Sequence, residues 1–175
     1  MRKLLLVIDM QKDFVDGALG TPEAVEIVPG VVRKIESYPR ENVIATRDTH
    51  EADYLQTQEG QKLPVVHCVR NTPGWEIVPQ VAEALGDAQV IDKPTFGSVE
   101  LAHQLTALAA EEPIAIELVG LCTDICVVSN ALLLKAAMPE VPISVDPACC
   151  AGVTAERHEA ALRTMESCQI MTVPL

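Results

Sequence analysis

Short apolar runs alternate along the chain with segments in which apolar residues recur every three to four positions. The second kind of segment is typical of amphipathic helices and covers 24–38, 99–110, 126–137 and 155–167. The apolar runs are rich in β-branched residues, which is typical of buried strands. These runs are 4–8, 43–46, 89–91, 114–119, 142–145 and 170–173.

Strands that alternate with helices predict an α/β fold, because a helical crossover joins parallel neighbours in a sheet. We therefore predict one domain over 1–175, with three αβα layers around a six-stranded, mainly parallel, doubly wound sheet. In such sheets, ligands bind beyond the carboxyl ends of the strands. Polar residues that directly follow strands are accordingly the candidates for a functional site.

Composition adds limits on partners and location. With 49% apolar but only 3% aromatic residues, the core is expected to be aliphatic, as in a buried parallel sheet. The net charge of −12 argues against a nucleic-acid or anionic-membrane partner. No segment has the roughly 18 consecutive apolar residues of a membrane span. The first apolar run ends at Asp9 without a cleavage motif, so we predict a strand rather than a signal peptide, and a cytoplasmic protein.

Three side chains suited to acyl transfer follow predicted strands. Asp9 ends the first strand, Lys93 follows the third, and Cys126 lies where the fourth strand gives way to a helical pattern. A thiol near a helix N-terminus is favoured as thiolate, and Lys93 is expected to lower its pKa further. Asp9 can accept the thiol proton and return it to a leaving amine. The backbone N–H groups of Cys122 and Cys126 can bind the oxyanion, so the sequence predicts amide hydrolysis.

Other motifs that such a chain could contain are missing. No GxGxxG follows the first strand and no P-loop is present, so no nucleotide cofactor is predicted. The six cysteines form no CxxC pair, which argues against structural zinc or a disulfide framework. A redox sensor that pairs Cys126 with Cys122 or with the thiols at 149–150 is an alternative, but it leaves Asp9 and Lys93 without a role.

The segment 48–76 fits no regular element, and a connection of this length in a compact domain is usually functional. It contains Asp48, His50 and His67, residue types that bind zinc, iron or manganese. From the residues alone, histidines that serve only as hydrogen-bonding groups are an equal alternative.

Three motifs resemble those of the isochorismatase-like cysteine hydrolases, a superfamily that includes nicotinamidases and other small-amide hydrolases. They are LVIDMQKDF around Asp9, IDKPTFGS around Lys93 and VGLCTDICV around Cys126, in family order across essentially the whole chain. The resemblance implies an Asp9–Lys93–Cys126 triad, a thioester intermediate and a non-proline cis peptide between Leu121 and Cys122. True isochorismate hydrolases lack the cysteine, so amide hydrolysis is favoured over that reaction.

The resemblance to nicotinamidases also implies a divalent metal, zinc first, with iron or manganese as alternatives. Those enzymes have an Asp-x-His, a later His and a fourth ligand between them. Asp48, His50 and His67 match. Glu59 is our choice for the fourth ligand over Asp53 or Glu51, because its spacing resembles that of the members that use Glu.

Phe14 aligns with a ring-stacking aromatic residue of nicotinamidases, and we predict Phe14 and Leu121 as substrate contacts. Those enzymes often carry an aromatic residue shortly before the last histidine, where this chain has Leu63 and Pro64. Trp75 is expected to compensate from the following turn. The leading hypothesis is a nicotinamidase-like hydrolase of a small carboxamide; the alternative substrate is an acyclic amide or ureide of the carbamoyl or maleamate type.

The segment 126–137 is apolar on more than one helical face. Such a surface is typical of a helix that contacts another subunit. We therefore predict a homo-oligomer, as is usual for the family that the chain resembles.

Overall fold

The first apolar run forms the central strand of a parallel sheet. In the computed structural model, which describes residues 1–174, this sheet has five strands in the order β3-β2-β1-β4-β5, and every neighbouring pair is parallel. The strands are β1 (Arg2–Ile8), β2 (Val43–Asp48), β3 (Gln89–Lys93), β4 (Ile114–Leu121) and β5 (Ile143–Ala151). The predicted α/β class with a parallel sheet is confirmed, with five strands instead of six.

The predicted sixth strand at 170–173 is wrong. Met171 forms only an isolated bridge to Ser144, beside β5. The chain then turns, because the Thr172 hydroxyl donates to the Glu166 carboxylate instead of continuing the ladder. Pro174 follows and has no N–H group to donate to a neighbouring strand.

Helices cover both faces of the sheet. They are α1 (Lys12–Val15), α2 (Pro22–Glu36), α3 (Gln58–Lys62), α4 (Pro79–Leu85), α5 (Val99–Glu111), α6 (Val128–Ala137) and α7 (Ala155–Ser167). Four of them begin at a hydroxyl that accepts a hydrogen bond from the first turn, which satisfies an otherwise unpaired amide. These N-caps are Thr21, Thr57, Ser98 and Thr154.

The alternation of side chains along β1 explains why its apolar run is continuous. Leu4, Leu6 and Ile8 pack into a cluster that contains residues of α5, α6 and α7. Leu5 and Val7 point to the opposite face and pack into a second cluster, built with α2 and α4. Both faces of the strand are buried, as in other sheets covered by helices on both sides.

The apolar surface of α6 is largely used within the chain. Val128, Leu132 and Leu133 are partly buried and pack against the core cluster of α5–α7. Over residues 1–174, the large exposed apolar side chains all lie outside α6. Packing within the domain therefore accounts for the pattern at 126–137, and the homo-oligomer stays a prediction. None of the helices in this part of the chain has the length and hydrophobicity of a membrane crossing.

A buried ion-pair cluster joins α2 to the middle of β4 and β5. Lys34 Nζ lies 3.0 Å from Glu117 Oε1 and 2.7 Å from Asp146 Oδ2. The Tyr38 hydroxyl donates to Glu117 Oε2 at 2.5 Å. Both carboxylates are buried, so the ammonium of Lys34 offsets charge that water does not reach.

We expect Lys34→Met to lower the free energy of unfolding by about 3 kcal/mol, because it leaves two buried carboxylates without their cation. The exposed neighbour Arg33 provides the control, and Arg33→Met should change this quantity by less than about 0.5 kcal/mol. Denaturant unfolding at pH 7 measures both variants. Equal stabilities would contradict a stabilising role for the cluster.

Candidate active site

The site lies at the carboxyl ends of the strands, where β1 and β4 come close together. Asp9 directly follows β1 and adopts a positive φ of 46°, which turns its side chain out of the strand pattern. Gly120 near the end of β4 has a φ of 116°, and a Cβ there would lie 2.1 Å from the Ile8 carbonyl oxygen. Only glycine permits this approach, and it brings the turn that follows β4 next to Asp9.

Asp9, Lys93 and Cys126 meet in this buried space. Lys93 Nζ lies 2.6 Å from Asp9 Oδ2 and 3.3 Å from Cys126 Sγ. The Thr46 hydroxyl donates to the other Asp9 oxygen at 2.6 Å, which fixes the orientation of the carboxylate. All three of these side chains are buried. The structure thus brings together the residues that the sequence placed at three separate strand ends.

The ionisation of this group differs from the sequence-based expectation. Burial raises the pKa of the Cys126 thiol well above its ordinary value, and the Asp9 carboxylate adds to this effect more than Lys93 offsets it. Burial also raises the pKa of Asp9, against the opposing charge of Lys93. The expected low-pKa thiol is therefore wrong for the resting site, because a sequence pattern near a helix start does not reveal how completely the thiol is removed from water.

The charge on Lys93 is held in place by its neighbours. Burial by itself would lower the pKa of its ammonium, but the negative charges around it, with Asp9 first, raise that pKa above its ordinary value. Asp48 Oδ1 lies 3.4 Å from Lys93 Nζ and contributes to this effect. The ammonium is therefore a permanent cation between the carboxylates and the thiol.

Cys126 lies in a single π-helical turn, Thr123–Val127, that precedes α6. The helix predicted from 126 thus starts three residues earlier, with a wider first turn in which the Val127 amide donates to the Cys122 carbonyl. The peptide bond between Leu121 and Cys122 is cis, as the resemblance implied. The first amides of a helix have no partner within it, so the backbone at Cys122 and Cys126 remains our prediction for the oxyanion site.

A second cluster lies beside the first. The Nε2 atoms of His50 and His67 lie 3.0 and 3.7 Å from Asp48 Oδ2. They lie 3.7 and 3.8 Å from Glu59 Oε1. One ligand atom from each of the four residues lies within 4.8 Å of all the others, and Glu59 is carried by α3. Asp53 and Glu51, the alternatives to Glu59, are outside this group.

The four residues fit a divalent metal. His50 Nε2 is buried and makes no hydrogen bond within residues 1–174, although Asp48 Oδ2 lies only 3.0 Å from it. His67 Nδ1 lies 2.7 Å from the Val65 carbonyl oxygen, the arrangement that directs the other nitrogen toward an ion. Ligands about 2.1 Å from a tetrahedral ion are about 3.4 Å apart, close to the separations of these donor atoms. Two imidazoles and two carboxylates are a zinc-type ligand set, which iron and manganese also accept.

Cys126 and the four residues of the second cluster line one cavity of about 580 Å³. Its walls are mainly apolar, and its lining includes Phe14, His50, His67, Phe96, Ile125 and Cys126. The Phe14 ring lies 5.5 Å from that of His67. Leu121, predicted as a substrate contact, does not line this cavity; it is buried in the core beneath α2, because the strand pattern turns its side chain away from the site. That prediction is corrected.

Trp75 also lies outside the cavity lining. Its ring packs under the Arg47 guanidinium, 3.7 Å from the ring centroid, and its indole donates to the Thr49 hydroxyl at 2.8 Å. The expected compensation by Trp75 is therefore wrong, because two arginines on neighbouring segments attract the ring to the outside of the site.

Several supporting residues have no signal in the sequence pattern. Tyr54 is fully buried, and its ring centroid lies 4.6 Å from that of His50 and 5.0 Å from that of His67. Gln11 exchanges two hydrogen bonds with the backbone of Asp48, at 2.8 and 2.7 Å. A tyrosine within a polar segment and a glutamine two positions after Asp9 are the corresponding sequence features, and neither by itself indicates a role in the site.

The isochorismatase domain matches residues 3–174. The chain belongs to the isochorismatase family. This confirms the family that the three motifs indicated.

Nicotinamidases and pyrazinamidases are among the proteins similar to this isochorismatase-family chain. The pyrazinamidase of Pyrococcus horikoshii, solved in complex with zinc, is 29% identical, with a TM-score of 0.82 and full coverage of both chains. The Bacillus subtilis nicotinamidase/pyrazinamidase is 25% identical, with a TM-score of 0.81 over 99% of this chain and 100% of that one. The nicotinamidase of Schizosaccharomyces pombe is 26% identical over 73% of this chain and 74% of its own.

Proposed function

We propose that this protein is a cysteine-dependent amidohydrolase that converts a small ring carboxamide, nicotinamide or a close analogue, to the acid and ammonia. The observation that carries the proposal is the shared cavity. Cys126, whose sulfur lies beside the buried Lys93–Asp9 pair, lines the same space as a metal-type cluster of two histidines and two carboxylates. A hydrolase acting on an amide carbon–nitrogen bond is also what the family and its nicotinamidase relatives support.

In the first half of the proposed reaction, Asp9 accepts the proton of the Cys126 thiol. The sulfur then forms a bond to the carboxamide carbon, and the Cys122 and Cys126 amides stabilise the negative oxygen. Lys93 remains charged throughout and offsets the single negative charge as it moves from Asp9 to the sulfur and then to the substrate oxygen. As the carbon–nitrogen bond breaks, Asp9 gives its proton to the leaving nitrogen, which departs as ammonia.

In the second half, water attacks the thioester. Asp9 takes a proton from that water as the new carbon–oxygen bond forms. The carbon–sulfur bond then breaks, and the proton returns to the sulfur of Cys126. This sequence needs a carboxyl group that exchanges protons readily, which agrees with the raised pKa of Asp9.

The residues that would hold a metal are Asp48, His50, Glu59 and His67. A divalent ion bound there would supply a coordination position for a ring nitrogen, in line with the zinc complex of the Pyrococcus horikoshii relative. Phe14, at the cavity wall, would pack on the ring. The carboxamide would then face Cys126.

The test is ammonia release from nicotinamide by the zinc-loaded protein, with and without a strong chelator. We expect turnover that the chelator removes and added zinc restores. His67→Gln should weaken zinc binding by about 100-fold or more, because it removes a ligand, whereas His103→Gln on the exposed side of α5 should not. Zinc titration measures this independently of activity.

The possible outcomes test the ring substrate and the metal site separately from the cysteine chemistry. No turnover of nicotinamide by the zinc-loaded protein would contradict the ring substrate, and acyclic amides or ureides would be assayed next. Turnover that is indifferent to the chelator, in a protein that binds no zinc, would contradict the metal site while leaving the cysteine chemistry in place.

A further inference from the structure

Asn130, in the first turn of α6, is buried, with only 1% of its surface exposed. Its Nδ2 donates to the Cys126 carbonyl at 2.8 Å and to the Phe96 carbonyl at 3.1 Å. Its Oδ1 accepts from the Ser98 amide at 2.9 Å. Both amide hydrogens and the oxygen are therefore engaged, and together they tie the turn of Cys126 to the segment that follows β3.

The segment 93–98 carries two groups of the candidate site. Lys93 begins it, and its ammonium also donates to a carbonyl of the same segment at 3.2 Å. Phe96 lines the cavity but is 45% exposed, so packing alone does not fix its ring. At Gly97 an added Cβ would lie 3.1 Å from the Ser129 carbonyl oxygen, which shows how closely the segment approaches α6. The hydrogen bonds of Asn130 maintain this approach.

We propose that Asn130 is a positioning residue that sets substrate selectivity, by holding Phe96 at the cavity wall where the ring of a carboxamide packs. This inference rests on the proposed function, because it concerns which amides the same site accepts. Phe14 lines the same cavity, so a planar ring has aromatic contacts from two separate segments of the chain. One aromatic contact strengthens binding by about two- to tenfold.

Asn130 makes two kinds of contact: a hydrogen bond to Cys126, in the nucleophile turn, and hydrogen bonds to the segment of Phe96 and Ser98. Asn130→Thr separates the two. In a helix, a threonine hydroxyl donates to the carbonyl four residues earlier, which here is that of Cys126. It has no second donor for the Phe96 carbonyl. Asn130→Thr therefore keeps the tie to the nucleophile and releases the segment, whereas Asn130→Ala loses both ties.

Steady-state kinetics with nicotinamide and with propionamide, which has no ring, test the proposal. Asn130→Thr should raise KM for nicotinamide about three- to tenfold, leave its kcat within about twofold and leave propionamide kinetics unchanged. Phe96→Leu should reproduce this pattern. Asn130→Ala should also lower kcat, by about tenfold or more, because the nucleophile turn loses its anchor.

Lys34→Met is the control for a purely structural effect, since it lowers stability without touching the site. It should leave KM and kcat for both amides unchanged at a temperature where it is folded. The proposal is overturned if Asn130→Thr changes both amides equally, or if Phe96→Leu raises KM for nicotinamide and Asn130→Thr does not.

Alkylation of Cys126 keeps this test separate from the proposed function. Iodoacetamide and its N-phenyl derivative react with the thiol without any amide being cleaved, and the ratio of their rates reports how well the cavity holds a ring. Asn130→Thr should reduce the preference for the phenyl reagent by about three- to tenfold. A wild-type protein that hydrolyses no carboxamide would defeat the proposed function, whereas an unchanged ratio would defeat the role of Asn130.

Discussion

Cys126→Ala is expected to reduce kcat for carboxamide hydrolysis by at least about 10⁴-fold, because the proposed reaction forms its only covalent bond to the enzyme through this sulfur. The substitution removes one buried atom from a well-packed site, so the free energy of unfolding should change by only about 1 kcal/mol. Ammonia release and denaturant unfolding, measured on the same preparation, separate loss of chemistry from loss of fold.

Cys122 provides the matched control, since its side chain lines the same cavity. The proposed mechanism uses only its backbone amide, so Cys122→Ala should keep kcat within about threefold of the wild type. Iodoacetamide should inactivate the Cys122→Ala variant as it does the wild type. Activity near that of the wild type in Cys126→Ala, or its loss in Cys122→Ala alone, would refute the assignment of the nucleophile.

Lys93→Met is expected to remove activity and to lower the free energy of unfolding by about 3–5 kcal/mol. Its ammonium lies 2.6 Å from Asp9 and 3.4 Å from Asp48, and all three groups are buried. The substitution leaves carboxylates in a space that water does not reach. The side-chain volume is nearly conserved, so the cost is electrostatic and not a cavity effect.

The double variant Asp9→Asn/Lys93→Met tests that explanation. It removes the stranded carboxylate together with its partner, so it should recover much of the stability lost by Lys93→Met while remaining inactive. Asp9→Asn alone should lower kcat by about 10²–10⁴-fold, because no group then exchanges the proton. Additive losses of stability in the double variant would contradict a coupled pair.

The stability of Lys93→Met should also depend on pH in a defined direction. Burial already raises the pKa of Asp9, and removal of Lys93 takes away the charge that opposes this shift. The folded state then binds a proton more tightly than the unfolded state, so its stability rises as pH falls. Denaturant unfolding should therefore show a smaller loss relative to the wild type at pH 5.5 than at pH 8.

The placement of the candidate residues could be predicted because parallel strands follow a simple rule. Asp9 and Lys93 lie at the ends of apolar runs, and the carboxyl ends of parallel strands meet at one edge. The same logic applies to Asp48, the last residue of β2. Local patterning therefore determined which polar groups share an edge, and motif spacing selected Glu59 within a segment that has no regular period.

Contacts between distant segments explain what the pattern missed. Asn130 lies 34 residues from Phe96, and Trp75 donates to Thr49 across 26 residues. Tyr54 and Thr46 similarly support the site through contacts with the side chains of His67 and Asp9. No periodicity records such pairs, because each depends on how loops pack after the sheet has formed.

The sequence by itself determined the α/β class, the order of the strands along the chain, the edge of the sheet that carries the polar groups and the identity of the family. These follow from local periodicity and from short motifs. Only the tertiary structure decided that the segment after α7 forms an isolated bridge to β5 and not a sixth strand. It also decided that Leu121 and Trp75 face away from the cavity and that the Cys126 thiol has a raised pKa. Each depends on burial and on charges brought together from distant parts of the chain, and these quantities exist only once the chain has folded.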